Sequence, residues 1–141
     1  MRVVLGTLPA TVLAGAAVGF ASPAAAADDF AGSYRYDVGG PSTWSTWTVT
    51  SCGPGCAEVV ATGGAGWERY GGQARLDSGR WTMVSPWPDA GTCDGVPMIG
   101  TRTLSWDAAT LEGSGFADTE ASACGPAERS DPWSFTLTKL S

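Results

Sequence analysis

The chain has 141 residues with 14 acidic and 8 basic side chains, no histidine, four cysteines and seven tryptophans. Its net charge of −6 provides no basic face for phosphates, so we expect neither nucleic acid nor an anionic membrane surface as a partner. Without histidine, serine hydrolysis would need an unusual base such as Lys139.

Residues 1–27 are predicted to be a secretory signal peptide. Arg2 provides a positive start, a long apolar run follows, and Ala25 and Ala27 form a small-residue cleavage site. We therefore expect export with cleavage near Ala27, and an uncleaved N-terminal anchor is the alternative. Residues 28–141 then form one mature domain of ordinary size.

Alternation of apolar and polar residues predicts β-strands through almost all of the mature chain. In the segment WSFTLTKL, for example, Trp133, Phe135 and Leu137 share one face, as a half-buried strand requires. The predicted strands lie, in chain order, near residues 31–38, 43–51, 57–62, 67–76, 80–85, 99–106, 110–117 and 133–140. Short strands separated by Gly, Pro and Asp turns indicate an antiparallel all-β meander, and we predict a small barrel, with a β-sandwich as the alternative.

The motif CGPGC at residues 52–56 could belong to a redox centre, a metal site or a disulfide. A redox pair needs a lowered thiol pKa from a helix N-terminus or a nearby cation, whereas this pair has strands and no Lys or Arg around it. A zinc site would have to recruit two distant cysteines. We therefore predict the disulfides Cys52–Cys56 and Cys93–Cys124, and the alternative pairing links the turn to the long loops. No metal or cofactor is expected.

The tryptophans divide by the parity of their strands. Those with inward parity, which are predicted to fill the core, are Trp47, Trp81, Trp106 and Trp133. Those predicted to be exposed and available to a ligand or partner are Trp44, Trp67 and Trp87. Exposed tryptophans can stack on sugar rings or anchor a protein partner.

Four segments carry a resemblance to a known group of proteins. They are TWSTWTVTSCGPGCAEVVATGG, GRWTMVS, LSWDAATLEG and FTLTKL, and they resemble small secreted or cell-surface domains of actinobacteria, especially mycobacteria, over nearly all of residues 31–140. The resemblance implies a secreted Trp-rich β domain without a known activity, so no catalytic residue carries over. The meander is also similar in outline to avidin and lipocalin-like barrels, and that similarity concerns architecture alone.

We expect a non-catalytic extracytoplasmic binding module whose ligand, a small apolar molecule or an envelope component such as a glycan, lies at the barrel mouth. If aromatic side chains fill the barrel, the alternative is a surface-acting protein that binds a protein partner, such as a secreted inhibitor or host-interaction factor. A third hypothesis, a glycan-processing enzyme, requires a facing acidic pair beside Trp44 or Trp87. The discriminating feature is whether Trp67, Trp81 and Trp106 line a cavity or pack solidly.

Overall fold

The computed structural model describes residues 30–40, 44–63, 69–88 and 90–141. The predicted signal peptide, residues 1–27, lies outside these described residues. Within the described ranges, no helix is long and apolar enough to cross a membrane.

The described residues form eleven β-strands, eight of which make a closed antiparallel barrel. Their bounds are β1 (Gly32–Asp37), β2 (Trp44–Gly53), β3 (Cys56–Gly63), β4 (Tyr70–Asp77), β5 (Arg80–Trp87), β6 (Thr92–Cys93), β7 (Val96–Pro97), β8 (Gly100–Asp107), β9 (Glu112–Thr119), β10 (Glu128–Arg129) and β11 (Trp133–Lys139). The barrel order is β1–β2–β3–β4–β5–β8–β9–β11, and β11 pairs back onto β1. This arrangement confirms the all-β class, the antiparallel meander and the barrel.

Three short strands lie outside the meander. Strands β6 and β7 pair only with each other, in the connection between β5 and β8. Strand β10 pairs with β9 through Thr119 and Asp118, so it adds a ninth strand to the barrel sheet. None of the three was predicted from the sequence, because strands of two residues carry no readable alternation.

Both predicted disulfides are confirmed. The bond between Cys52 and Cys56 closes the hairpin of β2 and β3. The bond between Cys93 and Cys124 joins the two longest connections of the barrel. These two bonds pair all four cysteines of the sequence.

The two ends of the barrel differ. Short turns join β2 to β3, β4 to β5 and β8 to β9 at one end, which we name the closed end. In the last of these turns the Asp107 carboxylate accepts hydrogen bonds of 2.8 Å from the backbone N–H groups of Ala109 and Thr110. The segments joined by Cys93–Cys124, one between β5 and β8 and the other between β9 and β11, lie at the other end, which we name the open end.

Aromatic side chains fill the closed end. Phe30, which precedes β1, is 3% exposed, and its ring centroid lies 5.1 Å from that of Trp81 and 5.4 Å from that of Trp106. Trp47, Trp81 and Trp106 are fully buried, which confirms three of the four predicted core tryptophans. The fourth, Trp133, is only partly buried because β11 begins at this residue, at the open end.

Glycines on β9 make room for these rings. A Cβ added at Gly113 would lie 2.5 Å from an atom of the Phe135 ring, and one at Gly115 would lie 2.8 Å from an atom of the Trp133 ring. Because real side chains do not approach so closely, these two inward positions of β9 must lack a side chain for the Phe135 and Trp133 rings to fit.

Candidate functional site

A cavity of about 480 Å³ occupies the open end of the barrel. Its aromatic walls are Tyr36, Tyr70, Trp87 and Trp133. Its aliphatic lining is Val38, Leu104 and Ala117. Its polar lining is Ser45, Arg102, Ser130 and Asp131.

Strand register brings these side chains together. Tyr36 lies one inward position beyond the buried Tyr34 on β1, and Arg102 lies one inward position before the buried Leu104 on β8. Arg102 pairs with Ser85 on β5 and with Ala117 on β9. Inward-facing residues therefore form a packed core up to Leu104, and the next layer towards the open end surrounds the cavity.

Hydrogen bonds between indoles and phenols hold two tyrosines of the wall in place. The indole N–H of Trp133 donates to the Tyr36 hydroxyl oxygen at 2.8 Å, and that of Trp47 donates to the Tyr70 hydroxyl oxygen at 3.0 Å. Ser45 and Tyr70 share a further hydroxyl–hydroxyl bond of 3.3 Å. The Tyr36 ring also stacks on Trp47, with centroids 5.1 Å apart. These contacts orient the aromatic wall independently of a ligand.

Arg102 supplies a half-buried positive charge within this wall. Its guanidinium carbon lies 4.3 Å from the Trp87 ring centroid and 5.3 Å from the Tyr70 ring centroid. Burial lowers the pKa of Arg102, and the nearby Tyr70 and Tyr36 oppose that effect. Arginine nevertheless remains charged in proteins because its ordinary pKa exceeds about 12.

The Tyr36 hydroxyl is held in its protonated form. Burial raises the pKa of Tyr36, against the smaller opposing effect of the hydrogen bond from Trp133. Tyr70 and Arg102 lie close enough to shift the same pKa, in opposite directions. At neutral pH the cavity therefore contains a neutral phenol beside a cationic guanidinium.

Of the three tryptophans predicted to be exposed, Trp87 lines the cavity. The side chain of Trp44, the first residue of β2, and the whole of Trp67 lie outside the described residues. Tyr36, Tyr70 and Arg102 were not predicted as site residues from the sequence. A signal for Arg102 was present, because it shares the inward parity of Leu104 and Trp106 and is a charged residue on an apolar face.

Two other functions that the sequence suggested, glycoside hydrolysis and metal binding, would also involve residues at this end of the barrel. Asp131 is the one carboxylate among the described residues of the cavity lining, whereas glycoside hydrolysis uses two. Cys93, Asp94 and Cys124 place potential ligand atoms within 4.8 Å of one another. Both sulfurs of that group are joined in a disulfide, so they are not thiolate ligands for a metal.

Comparisons of the chain with protein-family models, characterised proteins and solved structures give no match. What the cavity binds is therefore inferred from its own geometry and chemistry.

Proposed function

We propose that the protein is a secreted, non-catalytic binding module that holds one small, largely apolar molecule in the open end of its barrel. The cavity of about 480 Å³ inside that end carries the proposal. Small-molecule sites commonly measure about 300–1,000 Å³ and combine apolar walls with a few placed polar groups. Both features are found here, because four aromatic side chains form the walls and a few polar side chains complete the lining.

The organisation of the two ends also supports ligand binding. At the closed end Phe30 packs against Trp81 and Trp106, so aromatic rings occupy that part of the barrel. At the open end the bonds from Trp133 to Tyr36 and from Trp47 to Tyr70 fix the cavity wall. A wall that is already ordered loses little conformational entropy when a ligand binds. The tryptophans that the sequence offered as the discriminating feature do not line this cavity, because Trp81 and Trp106 pack solidly at the closed end and Trp67 lies outside the described residues. The open half of the barrel is nevertheless unfilled, and this cavity supports ligand binding over the alternative of a protein that acts through its surface.

Secretion is part of the proposal. The two disulfides are consistent with an extracellular location, because such bonds persist in oxidising compartments. We propose that residues 1–27 are removed near Ala27. Mass spectrometry of the intact protein from culture supernatant should give the mass of a chain that begins at Asp28, less two hydrogens for each disulfide. Free thiols, or a mass that retains the N-terminal segment, would contradict this part.

Binding at the cavity can be tested with the uncharged fluorescent probe N-phenyl-1-naphthylamine. The oxidised protein should bind it saturably, one molecule per chain, with a rise in probe fluorescence. Ala117→Phe places a ring in the cavity and should weaken binding at least tenfold. Ser114→Phe, on the exposed outer side of the same strand, is the matched control.

Near-UV circular dichroism should show that both variants retain the aromatic packing of the native protein. Absence of saturable binding to the native protein would overturn the proposal. Equal binding by the Ala117→Phe variant and the native protein would place the probe elsewhere and would also overturn it.

A further inference from the structure

Two hydrogen-bond donors lie together in the cavity. Arg102 carries the planar array of five N–H donors that every guanidinium has. The bond from Trp133 uses a lone pair of the Tyr36 oxygen, so it does not consume the phenol's own proton. Both side chains line the same cavity and are close enough for each to shift the pKa of the other.

Resting on the binding function proposed above, we infer that the cavity selects small carboxylic acids with a planar apolar body. Arg102 and the Tyr36 hydroxyl bind the carboxylate. The rings of Trp87 and Trp133 contact the apolar body, and Leu104 forms the floor beneath it.

The guanidinium suits a carboxylate in geometry and in charge. Its fork of N–H groups matches the two oxygens of a carboxylate, which neutral donors do not. Arg102 is half-buried, and charge-assisted hydrogen bonds are stronger where water is partly excluded. The contact with the Trp87 ring at 4.3 Å also restrains the side chain before a ligand arrives.

A cationic ligand is disfavoured by the same arrangement. Aromatic walls can bind ammonium groups through their ring faces, but here the guanidinium of Arg102 already lies over Trp87 and beside Tyr70. A second positive charge would meet repulsion at those faces. Asp131 contributes the opposite charge to the lining, yet its side chain is exposed at the rim, where water and salt screen it.

Isothermal titration calorimetry with 2-naphthoate and 2-naphthamide tests the inference. The two probes share one ring system and nearly one shape, and at neutral pH only the first carries a charge. The native protein should bind 2-naphthoate roughly 10–100-fold more tightly, as expected for a charge-assisted hydrogen bond. Arg102→Met should remove this preference and leave 2-naphthamide binding within about threefold of its native value.

Arg129→Met is the matched control. Arg129 also lies over a ring, 4.2 Å from the Phe116 centroid, but it pairs with Asp118 on the outside of the barrel. This variant should keep the native preference. If Arg102→Met does not fold, Tyr36→Phe provides the test, because it keeps the ring and removes the donated proton. It should weaken 2-naphthoate binding several-fold more than 2-naphthamide binding.

The outcomes separate this inference from the function on which it rests. Equal affinity of the native protein for both probes would overturn the carboxylate selectivity and leave the binding function standing. A preference for 2-naphthoate that survives in both Arg102→Met and Tyr36→Phe would overturn the assignment of these two residues. Failure of both probes to bind would overturn the binding function and the inference together.

Discussion

Replacing Phe30 with alanine should remove the aromatic plug of the closed end. The ring is 3% exposed, and its centroid lies 5.0 Å from Tyr34, 5.1 Å from Trp81 and 5.4 Å from Trp106. Core Phe-to-Ala changes cost about 3–5 kcal/mol. Phe30 precedes the first strand and lies at one end of the barrel, so its surroundings can partly collapse, and we expect a loss at the low end of that range, about 3 kcal/mol.

That loss is a large share of the stability of an ordinary domain, which is about 5–15 kcal/mol. It should lower Tm by roughly 10–15 °C at this chain length. Urea unfolding followed by tryptophan fluorescence measures the free energy directly.

Val84→Ala is the control for this experiment. Val84 is 54% exposed on the outer side of β5, so its truncation should change the free energy of unfolding by less than about 0.5 kcal/mol. A loss below about 1 kcal/mol for Phe30→Ala, with an unchanged near-UV spectrum, would show that Phe30 does not belong to the core, because a buried ring cannot be removed so cheaply.

Three further predictions concern the Cys93–Cys124 disulfide, the inward-facing Gly115 of β9 and the buried hydroxyl group of Tyr36. Replacing Cys93 and Cys124 together with serine should lower the free energy of urea unfolding by about 3.5 kcal/mol in the chain-entropy model, because the bond spans 31 residues; a loss under about 1 kcal/mol would contradict this. Gly115→Ala should cost about 1–3 kcal/mol by overpacking, because the new methyl group would collide with Leu104, and a neutral result in the same assay would refute the packing argument. Burial raises the pKa of Tyr36, so its contribution to stability is complete below the ordinary tyrosine pKa of about 10 and is lost as the pH rises above it. Urea unfolding between about pH 9 and 11 should therefore show a weaker alkaline loss in Tyr36→Phe, and identical slopes would count against the assignment.

The eight barrel strands could be predicted because alternation is a local property of the chain. Trp133, Phe135 and Leu137 alternate with polar residues, and the observed strand covers Trp133–Lys139. Strand β10 had no such pattern. It forms because Glu128 pairs with Thr119 and because the Arg129 guanidinium binds both carboxylate oxygens of Asp118, at 2.6 and 3.0 Å. A strand fixed by a distant partner leaves no local signal.

The candidate site was less accessible to prediction than the fold. Parity placed Trp81 and Trp106 on inward faces, but it did not distinguish residues in the packed half of the barrel from residues in the open half. Trp133 has the same parity and yet lines the cavity, because it lies at the other end of the barrel. Position along the barrel axis depends on where each strand begins, and strand ends are the least certain part of a sequence-based prediction.

Local alternation with a period of two was enough to predict the all-β class, the eight barrel strands and the inward-facing parity of Trp47, Trp81, Trp106 and Trp133. It did not identify Phe30, Tyr70 or Trp87 as side chains of the interior. Tertiary structure alone decided that Phe30 meets Trp106 and that Arg102 lies over Trp87. These contacts depend on register and closure, which join residues far apart in sequence. Alternation tells which side chains face the interior, but the closed barrel decides which of them meet and where a cavity is left between them.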